Sequence, residues 1–206
     1  MINWPLYIEK ALQNKLPGKN AHSKMLPPGR TLSMPVETDS EIKSSGVLVL
    51  LFPEGDEISI CLVKRQPFMK FHAGQIGFPG GKKEKTDISL SWTALRETSE
   101  EIGIYPSMIR ILGALSPLFI PVSGFMIYPF VAWSPVKPDF VINHHEIEKL
   151  LLFPLTGKYV NHRILTATVE TQFGWLEVPA FGYENEIIWG ATAMILAEFF
   201  DVLENQ

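Results

Sequence analysis

Residues 95–104 read LRETSEEIGI, which places Glu97, Glu100 and Glu101 within five positions. On a helix, residues three and four apart are neighbours, and like charges at that spacing repel. At about 100° per residue, Thr93, Glu97, Glu100 and Glu101 share one face. Ile88, Ser91, Trp92, Leu95, Thr98 and Ile102 fall on the other, which is expected to pack. Arg96 stands one turn before Glu100 and is placed to pair with it. A solvated acidic face is the ordinary reading of such a stripe, because exposed charges contribute little. The run just before it, GFPGGKKEKTD (77–87), delivers a Gly-Gly loop straight out of an apolar stretch. A carbonyl from that loop and the carboxylates of the helix form an oxygen-only donor set, the kind Mg²⁺ or Mn²⁺ takes. A bound cation would remove the repulsion.

Working outward, the helix is expected from about Ile88 to Ile102, with Asp87 as its N-cap and Gly103 at its C-terminal stop. GVLVLLF (46–52) and ISICLVKR (58–65) read as two strands of a hairpin. FMKFHAGQIGFPGGKKEKTD (68–87) reads as a long loop, and strands are expected near 109–116 and 127–133. HEIEKLLLF (145–153) resembles a short helix, and residues 163–170 and 174–182 a second hairpin. GATAMILAEFFDVLE (190–204) is expected to close the chain as a helix. At the other end, residues 4–15 suit a short amphipathic helix ending before Pro17-Gly18. Residues 17–45 read as an extended arm, a lid or the contact of a homodimer. Interleaved strands and helices point to an α/β/α sandwich around a mixed sheet. One domain is expected over 1–206, with 1–45 as helix and arm and 46–204 as the core.

Composition narrows the function. A formal charge of −4 with no basic block argues against nucleic acid as a partner. Cys61 is the sole cysteine, so neither an intrachain disulfide nor a cysteine-based zinc site can form. That suits a cytoplasmic protein. The start, MINWPLYIEK, has Pro5 and Glu9 where a secretion signal needs an unbroken apolar core. Residues 111–136 carry no charge and are long enough to span a bilayer. Pro117, Pro121, Pro129 and Pro135 would break such a helix repeatedly, and two short strands joined at Ser123-Gly124 fit better. His72, His144 and His145 have no metal-site spacing, and Cys61, Phe181 and Trp189 are expected in the core.

GGKKEKTDISLSWTALRETSEEIGI (80–104) resembles the Nudix box, the loop-helix-loop signature of hydrolases that cleave a nucleoside diphosphate linked to another group. The tail RE-x-x-EE-x-G-I matches, with Thr98 where an aliphatic residue is usual. Asp87 stands as the first acid, with one extra residue between it and Arg96. Upstream, CLVKRQPFMKFHAGQIGFPGG (61–81) is similar to a second motif, that of the coenzyme A diphosphatases, through Leu62, Arg65, Gly74, Phe78, Pro79, Gly80 and Gly81. Cys61, Val63, Gln66 and Lys70 depart from it. The resemblance implies metal-dependent cleavage of CoA or acyl-CoA to 3′,5′-ADP and (acyl-)4′-phosphopantetheine. It implies Glu97, Glu100 and Glu101 as ligands of Mg²⁺ or Mn²⁺, with the Gly81 carbonyl as a further one. The base would be Glu97 or a later acid, for which Glu146 is the candidate. Arg65 and Lys70 would hold the diphosphate or the 3′-phosphate, and His72, Gln75 and Phe78 would touch substrate. A Nudix enzyme acting on ADP-ribose, NADH or a nucleoside triphosphate is the competing expectation.

Overall fold

The computed structural model describes residues 2–32, 42–69, 72–156, 163–171 and 174–204. In chain order its elements are α1 (Trp4–Leu12), α2 (Lys19–Ser23), β1 (Lys43–Glu54), β2 (Glu57–Arg65), β3 (Ile76–Gly77), β4 (Gly80–Lys82), α3 (Leu90–Ile102), β5 (Arg110–Ala114), β6 (Leu118–Ile120), β7 (Phe125–Trp133), β8 (Ile147–Pro154), β9 (Leu165–Thr171), β10 (Gly174–Tyr183), β11 (Glu186–Trp189) and α4 (Gly190–Glu204).

The apolar run of β1 explains its central position. A strand buried on both faces reads as continuous hydrophobics rather than as an alternation. β1 pairs in parallel with β7 along one edge, from Lys43↔Phe125 to Leu51↔Trp133. On its other edge it pairs with β4 near its start and with β2 near its end, both antiparallel. β8 and β3 extend the sheet beyond β2, and β5 and β6 extend it beyond β7. Val49 and Leu51 point to one face, where they meet α4 and α1 through Ile195, Leu196, Phe199 and Ile8. Leu48, Leu50 and Phe52 point to the other, where Ala94 and Ile102 of α3 cover them. The result is the expected α/β/α sandwich around a mixed sheet. A separate three-stranded antiparallel sheet, in the order β11-β10-β9, leads into α4.

Several local expectations change. HEIEKLLLF is not a helix: from Ile147 onward it is the strand β8, and His145-Glu146 belong to the turn before it. Ile147, Leu151 and Phe153 turn inward, and the strand satisfies the free edge of β2 from Ser59↔Pro154 to Arg65↔Ile147. A short apolar run cannot be told from a buried helix by periodicity alone, and the open edge decides it. Within the arm, residues 19–23 form α2 rather than extended chain; positions 33–41 lie outside the described residues. The 68–87 loop contains β3 and β4. The uncharged 111–136 stretch is strand and turn, and no helix among the described residues is long and apolar enough to cross a membrane.

Two constraints hold the layers together. Gly46 of β1 lies directly under α3, where a Cβ would overlap the Leu90 carbonyl oxygen and crowd the Ala94 nitrogen. On the opposite face, Glu198 of α4 is fully buried. It accepts from Gly18 N at 3.1 Å and Ser116 N at 3.2 Å, and pairs with His22 Nε2 at 2.9 Å. Gly46→Ala is expected to destabilise the fold by about 2 kcal/mol or more, as overpacking against backbone does. Glu198→Ala strands three polar partners in the interior and is expected to cost about 3 kcal/mol or more. Urea denaturation of each variant beside wild type checks both; a loss under about 0.5 kcal/mol, the size of an ordinary surface substitution, would contradict either.

Candidate active site

The site forms where α3 crosses the start of β1 and the β4 strand. Ser89 begins the helix: its Oγ accepts from Trp92 N at 3.0 Å. Asp87, expected as the cap, has a different task. One carboxylate oxygen accepts from Glu84 N at 2.8 Å and Thr93 Oγ1 at 2.9 Å, fixing the entering loop. Both oxygens accept from the Arg96 guanidinium, at 3.0 and 3.1 Å. Gly103 ends the helix in the left-handed conformation, at φ 75°.

The expected packing face is also corrected. Thr98 and Ile102 are buried as expected, but Ile88 is 85% and Trp92 41% exposed, while Thr93 and Glu101, expected on the acidic face, are buried together with Ala94. Near Gly46 the helix meets β1 through the small Ala94, because the bare glycine lets the two backbones approach closely, and Ile102 packs further along; bulk alone was an incomplete guide to the buried side. Thr98 fits at its apolar position by returning its hydroxyl to the Ala94 carbonyl, at 2.7 Å.

The glutamate stripe is therefore not uniform: Glu101 is buried, Glu97 is half-buried and Glu100 is exposed. Arg96 divides its donors among Asp87, Glu100 at 2.9 Å, Glu97 at 2.9 Å and the Lys82 carbonyl at 3.3 Å. The Arg96 guanidinium, with the Glu84 amide and the Thr93 hydroxyl, holds the Asp87 carboxyl well below the usual carboxylate range, against the effect of burial. Glu97 lies against Gly81, where its carboxyl fills the space a Cβ would take. Burial pushes the Glu97 carboxyl up, and Arg96 opposes the shift. Glu101 is 1% exposed. Its oxygens accept from Gly80 N at 3.0 Å and Arg65 Nη1 at 3.2 Å. Burial still pushes its carboxyl up to about 7, opposed by the Gly80 amide and Arg65. The charge of Glu146 raises both Glu97 and Glu101. Glu146 itself is half-buried in the turn before β8, its backbone fixed by Asn143 O at 3.0 Å and Gln66 N at 2.8 Å.

The other expected residues divide. The Gly81 carbonyl accepts from Ser45 Oγ at 2.7 Å, a contact that nothing in the sequence signals. His72 and Gln75 are exposed and bonded to each other at 2.8 Å, across a turn in which His72 adopts φ 55°. Phe78 is 6% exposed and packs within the core, where its ring has little surface to offer a ligand. Lys70 lies outside the described residues. Among the described residues no three His, Cys, Asp or Glu side chains stand close enough together to hold an ion. Glu100 is drawn out to Arg96 and Glu101 back to Arg65, so the expected cage is not preassembled. The donor chemistry nevertheless fits a hard divalent cation: three carboxylates, two of them poorly solvated, beside a backbone carbonyl.

Residues 43–158 match the NUDIX domain. The chain belongs to the Nudix family. It is 36% identical over 138 residues to the uncharacterized Nudix hydrolase NudL of Pectobacterium atrosepticum, covering 67% of this chain and 71% of the relative. To the NudL of Yersinia pestis it is 36% identical over 140 residues, covering 68% and 70%. Among solved structures, a MutT/nudix family protein from Enterococcus faecalis aligns with a TM-score of 0.56 at 14% identity, over 91% of this chain and 73% of the other, a likeness of fold. This Nudix protein is thus a hydrolase of pyrophosphate bonds in nucleotide derivatives, a reaction for which the family uses divalent cations such as Mg²⁺ or Mn²⁺.

Asp87→Asn is expected to lower stability at pH 7 by about 1–3 kcal/mol, by loosening a buried charged hydrogen-bond set. Asp87 has a depressed folded pKa, so its stabilisation is complete above the unfolded value near 3.8 and is lost as pH falls below that. The gap between wild type and variant should therefore narrow below about pH 4. Denaturant titrations at pH 7 and pH 3 check this; a gap that stays constant across that range would rule it out.

Proposed function

We propose that this Nudix hydrolase cleaves the diphosphate of coenzyme A or acyl-CoA, giving 3′,5′-ADP and (acyl-)4′-phosphopantetheine. The observation that carries the reading is the course of the 61–81 motif. Its Arg65 end touches Glu101, and its Gly80-Gly81 end lies against Glu101 and Glu97. A segment tied at both ends to the box glutamates is well placed to hold a substrate by its diphosphate. ADP-ribose, NADH or a nucleoside triphosphate is the competing substrate class, favoured by Cys61, Val63, Gln66 and Lys70 where the motif has other residues.

Glu97, Glu100, Glu101 and the Gly81 carbonyl would hold Mg²⁺ or Mn²⁺, which when bound neutralises the diphosphate and lowers the pKa of a water. Arg96 orients Glu97 and Glu100, and Asp87 orients Arg96. Ser45 orients the Gly81 carbonyl. We assign proton acceptance from the attacking water to Glu146. Glu97 and Glu101 are engaged by Arg96 and Arg65, whereas Glu146 acts on both through its charge and has a fixed backbone. Arg65 faces the substrate phosphates.

Product analysis with CoA, ADP-ribose, NADH and dGTP, each with Mg²⁺ or Mn²⁺, tests the substrate. CoA should be cleaved well ahead of the rest, with 3′,5′-ADP as product. Glu101→Gln should lose activity by on the order of 100-fold, together with cation affinity. Glu146→Gln should lose turnover while still binding Mn²⁺. Preferential cleavage of another nucleotide would move the protein to the competing class. Unimpaired turnover in Glu146→Gln would return the base to Glu97.

A further inference from the structure

Arg65 ends β2 at the point where its register with β8 slips, between Lys64 and Arg65. The guanidinium favours two parallel bonds to one oxyanion. Here Nη1 reaches Glu101 Oε1 at 3.2 Å, and Nε is buried with no hydrogen-bond partner among the described residues. A buried donor without a partner is unfavourable. Arg65 therefore stands in a position that satisfies Glu101 better than it satisfies Arg65. Glu101 has little freedom of its own: it is 1% exposed, and its other oxygen is taken by Gly80 N. A divalent cation seeking Glu101 would have to take Oε1 from Arg65, since two cations in contact with one buried oxygen repel strongly.

We propose that Arg65 is a positioning residue that competes with the divalent cation for Glu101 Oε1, and that its displaced guanidinium, with the unpaired Nε, then takes a phosphate oxygen of the substrate. Cation and nucleotide thereby bind in order, the first freeing the group that receives the second. The inference rests on Glu101 being a cation ligand, but not on which nucleotide is cleaved.

The test is Mn²⁺ binding to the full chain by calorimetry, without nucleotide, for wild type, Arg65→Gln, Arg65→Lys and Glu101→Gln. Removing the competitor should tighten Mn²⁺ binding by about fivefold in Arg65→Gln, the scale of one partly exposed ion pair. Arg65→Lys keeps the charge but loses the fork, and should tighten binding by about twofold; it carries the test should Arg65→Gln fail to fold. Glu101→Gln should weaken binding. Equal or weaker Mn²⁺ binding in both Arg65 variants, with Glu101→Gln weakened, would overturn the inference and leave the cation reading intact. Wild-type affinity in Glu101→Gln would overturn both together. At saturating Mn²⁺, ADP should bind roughly tenfold more weakly to Arg65→Gln than to wild type, as loss of a charge-assisted phosphate contact predicts; unchanged ADP affinity would overturn the phosphate-binding half.

Discussion

The architecture depends on the absence of side chains at one crossing. Gly46, Gly80 and Gly81 meet where β1, β4 and α3 converge. A Cβ on Gly46 would strike α3, one on Gly80 would strike the Gly46 carbonyl and Val47, and one on Gly81 would strike the Glu97 carboxyl. Only with all three bare can a helix carrying long acidic side chains lie this close to a two-strand ladder. That closeness puts Glu101 beneath the helix rather than in solvent, and it brings a backbone amide to its carboxylate. Packing and site chemistry are thus the same contact seen from two sides.

The crowding of like charge is relieved by division rather than by exposure. One arginine, four residues before Glu100 on the same helix, gathers Glu97, Glu100 and the incoming Asp87. A second, from the end of β2, reaches Glu101. Each carboxylate has an internal counter-ion, which lets the stripe fold before any other cation is considered. The division also scatters the oxygens, so that assembly around an ion requires side chains to exchange partners.

Much of this was legible in the sequence, for identifiable reasons. The β1–β2 and β9–β10 hairpins and the closing helix α4 rest on local patterning, which survives folding. The box glutamates and Arg96 are separated by fixed helical spacing, so their neighbourhood follows from arithmetic. Most of the failures trace to partners distant in the chain. β8 is a strand because β2 has an edge to fill. Asp87 leaves the cap to Ser89 because Arg96 competes for it. The buried side of α3 was only half identified: Thr98 and Ile102 lie on it as expected, but it also takes Thr93, Ala94 and Glu101 in place of Ile88 and Trp92, a choice that hydrophobic bulk cannot make. The contacts of Ser45 with Gly81 and of Glu198 with His22 join residues too far apart in the chain for spacing to suggest them.

The Glu198 junction also bears on the order in which the chain can assemble. His22 and Glu198 are separated by 176 positions, and Gly18 and Glu198 by 180. During synthesis at roughly 5–20 residues per second, α2 emerges many seconds before the helix that receives it. Until then His22 and the Gly18 amide have only water to bond, and Ser116 waits in the same way. The segment made early is therefore among the last of these elements to acquire its native neighbours, and the nascent chain carries it undocked until α4 is complete.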